Sequence, residues 1–198
     1  MIIKTAQFLT SSAVVEQCPK RKLPEFAFIG RSNVGKSSLI NMLTNHNKLA
    51  KISGTPGKTQ TINHFVINDA WFLVDLPGYG FAKLSKKARV DLENMIHSYV
   101  LKREHLACLF VLIDSRHKPQ TIDIDFIRWL GEHEIPFALI MTKTDKIKEQ
   151  VLMENIEAFQ QKLFEEWEEL PLFFYSSAVS KQGREEILDY IESIYNIL

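Results

Sequence analysis

Four short stretches carry residues that could do phosphate and base chemistry. The first is Gly30-Arg31-Ser32-Asn33-Val34-Gly35-Lys36-Ser37, a G-x-x-x-x-G-K-S pattern that continues into Ser38. Glycines at its two ends let the backbone curl so that successive N–H groups face a phosphate, and a helix starting at Lys36 adds the positive end of its dipole. Lys36 then reaches the β- and γ-phosphates, and the Ser37 hydroxyl suits Mg²⁺. The second stretch is Asp75-Leu76-Pro77-Gly78, where the carboxylate can hold Mg²⁺ through water and the Gly78 N–H can reach a γ-phosphate. The third, Thr142-Lys143-Thr144-Asp145, offers a carboxylate able to accept two parallel hydrogen bonds from the N1–H and exocyclic amine of guanine. Adenine presents no such donor pair. Lys143 would lay its stem over the base, and the fourth stretch, Ser176-Ser177-Ala178, offers backbone N–H groups to the guanine O6. Thr59 lies in the loop between the first two stretches, and its hydroxyl completes a metal shell when a γ-phosphate is present.

Such residues work only if the chain brings them to one place. Phe26-Ala27-Phe28-Ile29 reads as a buried strand before the phosphate loop, and Ser38 to Leu43 continues as a helix. His46 to Asn63 is polar and reads as a mobile loop. His64 to Ile67 and Trp71 to Val74 read as a hairpin joined through Asn68-Asp69-Ala70. A helix is expected from about Ser85 to Arg103, with Leu92, Met95, Ile96 and Tyr99 on one side. Thereafter strands at Leu106 to Asp114, Phe137 to Met141 and Leu172 to Tyr175 alternate with helices at Thr121 to Gly131, Lys148 to Trp167 and Gly183 to Leu198. The alternation predicts a doubly wound α/β fold: a mostly parallel six-stranded sheet with one antiparallel edge pairing and helices on both faces. Ligand sites of such sheets collect at the carboxyl ends of the strands, where all four stretches fall. Residues 1–22 carry little pattern and are expected to be an extension packed on the domain, through Phe8 and Val14-Val15, with 23–198 as the single domain.

Composition narrows the classes. A chain of 198 residues, 45% hydrophobic, suits one core. The longest apolar run is too short to span a membrane, and no targeting segment is read, so a soluble, cytoplasmic protein without membrane contact is expected. Cys18 and Cys108 make neither a disulfide framework nor a zinc site. Net charge is zero, yet residues 1–103 hold fifteen Lys and Arg against six Asp and Glu, and residues 104–198 nine against eighteen. A basic half suggests a polyanion partner. Lys48, Lys51 and Lys58 lie in the first loop, and Lys83, Lys86, Lys87 and Arg89 follow the second, so RNA contact is expected of these residues, with recognition of RNA shape instead of sequence.

The motifs resemble those of translation-factor-class P-loop GTPases with a Ras-like G domain, and more narrowly the EngB (YihA/YsxC) family of bacterial GTPases. The resemblance rests on the first stretch extended through Asn41, on Thr55-Pro56-Gly57-Lys58-Thr59-Gln60, on Asp75-Leu76-Pro77-Gly78-Tyr79-Gly80, and on the third and fourth stretches. It implies GTP and GDP binding by Gly30 to Ser38, by Gly57, Lys58, Thr59, Gln60 and Thr61, by Asp75, Leu76, Pro77 and Gly78, by Thr142 to Asp145 and by Ser176, Ser177 and Ala178. Mg²⁺ would be held by Ser37 and Thr59, and Lys36, Thr59 and Gly78 would serve the reaction. It also implies a role in assembling the large ribosomal subunit, with failed division and septum formation on loss. By analogy with K⁺-using relatives, Asn33 is a candidate K⁺ ligand. Thr142 stands where most GTPases have Asn, replacing an amide contact to the phosphate loop by a hydroxyl. Tyr79 stands where Ras-type enzymes place the Gln that orients water, so slow hydrolysis without a partner is expected. A monomer is the default. Two other classes stand beside this reading: a nucleotide-switched factor acting on division proteins without RNA, and a P-loop kinase or ATPase, against which Asp145 argues.

Overall fold

In the computed structural model, which describes residues 1–50, 60–80 and 85–198, strands β1 (Ala6–Ser12), β2 (Glu25–Gly30), β3 (Ile62–Ile67), β4 (Trp71–Asp75), β5 (Leu106–Asp114), β6 (Phe137–Thr142) and β7 (Phe173–Ser176) form one sheet in the order β1-β3-β4-β2-β5-β6-β7. Pairings from β4 through β7 are parallel, while β1–β3 and β3–β4 are antiparallel. The α/β class and the helices on both faces follow the expectation. The sheet has seven strands, not six, and a second antiparallel pairing, because residues 6–12 join its edge.

β1 escaped the sequence reading because it buries almost nothing; of its seven residues only Ser12 is fully covered. Backbone hydrogen bonds to β3 hold it instead, helped by an edge-to-face contact between Phe8 and Phe65 at 5.8 Å. A register shift between Phe8 and Thr10 breaks the regularity of this outer edge, the kind of irregularity that discourages further strands from adding. Asn68 and Asp69 both adopt left-handed backbone (φ 50° and 55°) in the three-residue connection between the paired Ile67 and Trp71, where the Ala70 N–H donates to the Ile67 carbonyl at 2.9 Å. The Asn68 carboxamide also accepts from the N–H groups of Lys4 and Thr5, at 2.7 and 3.0 Å, and so ties the segment before β1 to that turn.

Helices α1 (Lys36–Thr44) and α5 (Arg184–Tyr195) cover one face of the sheet, and α2 (Lys86–Lys102), α3 (Thr121–Glu132) and α4 (Glu149–Phe164) the other. β2 is buried throughout, so its alternate residues serve two cores: Phe26 and Phe28 face α1 and α5, Ala27 and Ile29 the opposite layer. Cys108 sits in this interior at 1% exposure, where burial pushes its thiol up to about 12, consistent with a packing role. Ser85 caps α2 by accepting from the Ala88 N–H at 3.2 Å. Beneath the hairpin end of the sheet, Glu25 is fully buried between Arg103, the Tyr99 hydroxyl and His64, whose Nε2 lies 3.5 Å away. Among the described residues no helix is long and apolar enough to cross a membrane.

β1 to β4, all from the first half of the sequence, lie together on one side of the sheet, and β5 to β7, from the second half, lie on the other; none of these strands carries a Lys or Arg, so the basic residues of the first half sit outside the sheet.

Candidate functional site

Parallel strands β2, β4, β6 and β7 end on the same edge, and each is followed by one of the four stretches. The phosphate loop leaves β2 at Gly30 and enters α1 at Lys36. Gly30 needs to be glycine for a reason the sequence does not show: a Cβ there would stand 2.8 Å from the Leu112 carbonyl oxygen and 2.9 Å from Val34. Its backbone is not left-handed. Gly35, at φ 108°, is, and so is Asn33 at φ 63°. Asn is among the few side chains that accept this conformation cheaply.

Two adjacent side chains from the end of β6 hold the loop in that shape. Thr142 donates its hydroxyl to the Val34 carbonyl at 2.7 Å, and Lys143 donates its ammonium to the Asn33 carbonyl at 2.6 Å. The hydroxyl contact expected of Thr142 is thus present. Lys143 itself sits at φ 61° and ψ 34°, a conformation unfavourable for lysine by on the order of 1 kcal/mol, which folds its stem back beside Gly35. Its ammonium is also 2.8 Å from Asp114, the last residue of β5. Burial opposes ionisation of Asp114, but hydrogen bonds from Arg116 and Lys143 outweigh it and hold the carboxyl at about 2.

Lys36 turns its ammonium to the Asp75 carboxylate, both nearly buried. Asp75 ends β4, and Leu76-Pro77-Gly78 run on beside the phosphate loop, the Leu76 N–H donating to Phe28 at 3.0 Å and the Tyr79 N–H to Gly30 at 3.2 Å. Gly78 is thereby held, buried, between these two anchors. β3 enters on the same edge: Asn63 pairs with Asp75, and Gln60 and Thr61 immediately precede it. The Ser37 hydroxyl, on the first turn of α1, and the Asp75 carboxylate form a sparse oxygen set, and no group of three His, Cys, Asp or Glu among the described residues could hold a metal unaided. That chemistry fits Mg²⁺, which keeps waters and shares phosphate oxygens, better than a cation needing an all-protein cage.

Asp145 and Ser177 meet beyond the ends of β6 and β7. The Ser177 hydroxyl, and then Lys146 at 3.2 Å, hold the Asp145 carboxyl below its ordinary range. Thr144 is anchored by Gln182 at 2.8 Å, and the Ser177 N–H reaches the Gln182 carbonyl at 3.3 Å. Ser176 is buried with its hydroxyl unpartnered among the described residues, and Ala178 is half-buried beside it. Ser32 and Ser38 line the phosphate loop, half-buried. Arg31 leans away from the loop to Asp123 on α3, its Nε 3.1 Å from the carboxylate.

Gly57, Lys58 and Thr59 lie outside the described residues, as do Lys51 and Lys83; residues 51–59 are half of the loop expected at 46–63, whose last two residues belong to β3. The start of that loop is pinned, with the Asn41 side chain accepting from the Ala50 N–H at 2.8 Å and donating to its carbonyl at 3.0 Å. Lys48, Lys86, Lys87 and Arg89 are exposed, and among the described residues none of them is within 4.0 Å of a carboxylate. The first turn of α2 holds Lys86 and Lys87 and no acid, against the preference of a helix N-terminus. Sequence reasoning missed Asp114, Asp123 and Gln182. Only Asp114 left a trace, as a carboxylate closing an apolar run toward the ligand edge.

Known proteins converge on the same kind of molecule. The family described as "50S ribosome-binding GTPase" matches residues 25–143. A "Probable GTP-binding protein EngB" from Christiangramia forsetii is 58% identical over 196 residues, covering 99% of each chain. Its counterpart from Porphyromonas gingivalis is 58% identical over 194 residues, 98% of this chain and 96% of that one. Among solved structures, the crystal structure of a probable GTP-binding protein engB superposes with a TM-score of 0.67 at 25% identity, over 88% of this chain and all of that one. Aquifex aeolicus Era bound to GDP and AlF4⁻ shares the fold, with a TM-score of 0.67 at 22% identity over 86% of this chain and 56% of that one.

Proposed function

The chain belongs to the EngB family of GTP-binding proteins, and from that premise we propose that its GTPase cycle is a nucleotide-dependent switch in assembly of the large ribosomal subunit, on which normal division and septum formation depend. It is a GTPase: water attacks the γ-phosphorus, the bond to the β,γ-bridging oxygen breaks, and GDP and phosphate leave. Lys36 neutralises charge on the β- and γ-phosphates, the Gly78 N–H donates to a γ-oxygen, and Asp145 with Lys143 fixes guanine. Mg²⁺, held by Ser37 and Thr59 with Asp75 reaching it through water, would supply charge neutralisation between the phosphates. The rest of the nucleotide set runs over residues 57–61, the phosphate loop and Ser176 to Ala178. Tyr79 commits its hydroxyl to Asp123 at 2.9 Å and is 6% exposed, so it orients no water, and the reaction is slow until a partner contributes.

One observation carries the ribosome reading: the exposed Lys48, Lys86, Lys87 and Arg89, all from the basic first half of the sequence, flank the nucleotide segments along the chain. Lysines opposing the dipole of α2 are better accommodated beside a phosphate backbone than in water. Lys51 and Lys83 would extend the same surface, and γ-phosphate contacts would arrange it.

The test is co-sedimentation with isolated large subunits, the protein loaded with a non-hydrolysable GTP analogue, with GDP or with nothing, at two salt concentrations. Binding is expected with the analogue, weakening as salt rises, and Lys86→Ser with Lys87→Ser and Arg89→Ser should flatten the salt dependence by about two to three units of log-log slope. Equal or absent binding in all three states would move the function to protein partners in division.

A further inference from the structure

Asp123, in the first turn of α3, is 1% exposed, and it receives two donors from two different parts of the site. Tyr79, the residue after Gly78, donates its hydroxyl to Oδ1 at 2.9 Å; Arg31, the residue after Gly30, brings its Nε to 3.1 Å of the same carboxylate. Oδ2 has no hydrogen-bond donor of its own among the described residues. The backbones of the same two residues are also paired, Arg31 and Tyr79 forming an isolated parallel bridge. The Tyr79 ring stacks on Phe126 of α3 at 4.8 Å, so the hydroxyl cannot leave Asp123 without the ring leaving its layer. The next residue, Gly80, is exposed at φ 75°.

This is an expensive way to stabilise a fold. A carboxylate taken out of water beside one half-exposed guanidinium gains little net energy over an apolar residue of the same shape, and burial pushes the Asp123 carboxyl above its ordinary range even with Arg31 and Tyr79 against it. What the arrangement does supply is a fixed distance. Gly30 opens the phosphate loop and Gly78 offers its N–H to the γ-phosphate, and each is one residue from an arm of Asp123.

We propose that Asp123 is a positioning residue of the GTPase reaction: through Arg31 and Tyr79 it latches the start of the segment after Gly78 to the phosphate loop, so that the Gly78 N–H and Lys36 meet the γ-phosphate together. The proposal rests on the reading of this edge as the GTP site. The latch acts on the nucleotide that has a γ-phosphate and leaves GDP, held by the loop and the base contacts, untouched. In this chain the position after Gly78 thus serves to place its neighbour's N–H, and a hydroxyl is required there for that reason.

The test compares the full-length protein with Tyr79→Phe, Asp123→Leu and the double variant. Affinities for GDP and for a non-hydrolysable GTP analogue are titrated by fluorescence, with single-turnover rates and thermal melts alongside. Tyr79→Phe keeps the stack on Phe126 and loses only the hydroxyl. Both single variants are expected to bind GDP within twofold of the parent, to bind the analogue about five- to twentyfold more weakly, and to lose a similar factor in the single-turnover rate. The double variant should be no worse than the weaker single one, because both changes remove one interaction. Equal weakening of GDP and analogue, unchanged binding of both, or additive effects in the double variant would overturn the latch. Should Asp123→Leu fail to fold, Tyr79→Phe decides by itself. A parent protein that bound neither nucleotide would overturn the site as well.

Discussion

Replacing Thr142 by Val removes one hydroxyl and almost no volume, which isolates the contact that stands in for the usual amide. The hydroxyl has a single proton, and of its two carbonyl neighbours Val34 at 2.7 Å is closer than Ile113 at 3.1 Å. Val34 is 2% exposed, so the valine variant leaves a phosphate-loop carbonyl with no hydroxyl donor and little access to water. A buried acceptor stripped of its donor costs about 1–3 kcal/mol. At about 1.4 kcal/mol per factor of ten, a central 2 kcal/mol corresponds to roughly thirtyfold in affinity. In the proposed site the loop holds the phosphates common to both nucleotides, so GDP and GTP should weaken together, by about ten- to fiftyfold. This pattern is unlike the selective loss expected at Tyr79. Calorimetric titration of both nucleotides against Thr142→Val and Thr142→Ser is the assay, with the serine variant recovering most of the affinity. Thermal unfolding without nucleotide should fall by less than about 8 °C if the loss is local. Affinities within twofold of the parent for Thr142→Val would refute the idea that this hydroxyl holds the loop.

Two further outcomes follow from charge. Asp114 and Glu25 are both held at about 2, Asp114 by Arg116 and Lys143 and Glu25 by His64, Arg103 and Tyr99, in each case against the effect of burial. A folded-state value below the unfolded one means stability that is full above the ordinary carboxylate range and lost as pH falls from about 4.5 toward 2, on the order of 2–3 kcal/mol for each group. Urea midpoints at pH 7, 4 and 2.5 should therefore decline more gently for Asp114→Asn than for the parent; parallel declines would remove Asp114 from the account. Separately, Asn33 accepts from Lys143 at its carbonyl and is an exposed residue, and we propose it as a K⁺ ligand. Exchanging Na⁺ for K⁺ should raise the hydrolysis rate of the parent and leave Asn33→Gly unchanged, glycine being at ease at the same positive φ. A parent rate indifferent to K⁺ ends that role.

The sequence by itself determined the class of chemistry and brought its candidate residues to strand ends that the fold places on one edge. Phosphate loops, guanine-reading carboxylates and strand ends have residue types and spacings dictated by the ligand and by period-two burial, and these are local properties of the chain. Helix and strand positions were legible for the same reason; α2, capped by Ser85, begins one residue after its expected start. Local pattern failed where burial was absent. β1 is held by its neighbour's backbone and carries no alternation of apolar and polar residues, so nothing in residues 6–12 announced a seventh strand.

What only the tertiary structure decided are relations between residues far apart in the chain. Gly30 is glycine because β5 brings the Leu112 carbonyl against it, and Lys143 adopts a left-handed backbone because Asn33 and Asp114 both claim its ammonium. Asp123 is 92 residues from Arg31 and 44 from Tyr79, and a lone acid at the start of a helix reads as an ordinary capping preference until the fold turns it inward. The same holds for charge. Counting located a basic half and an acidic half, but the fold, not sequence order, sets which charges are neighbours: it brings Arg31 to Asp123 and Lys143 to Asp114.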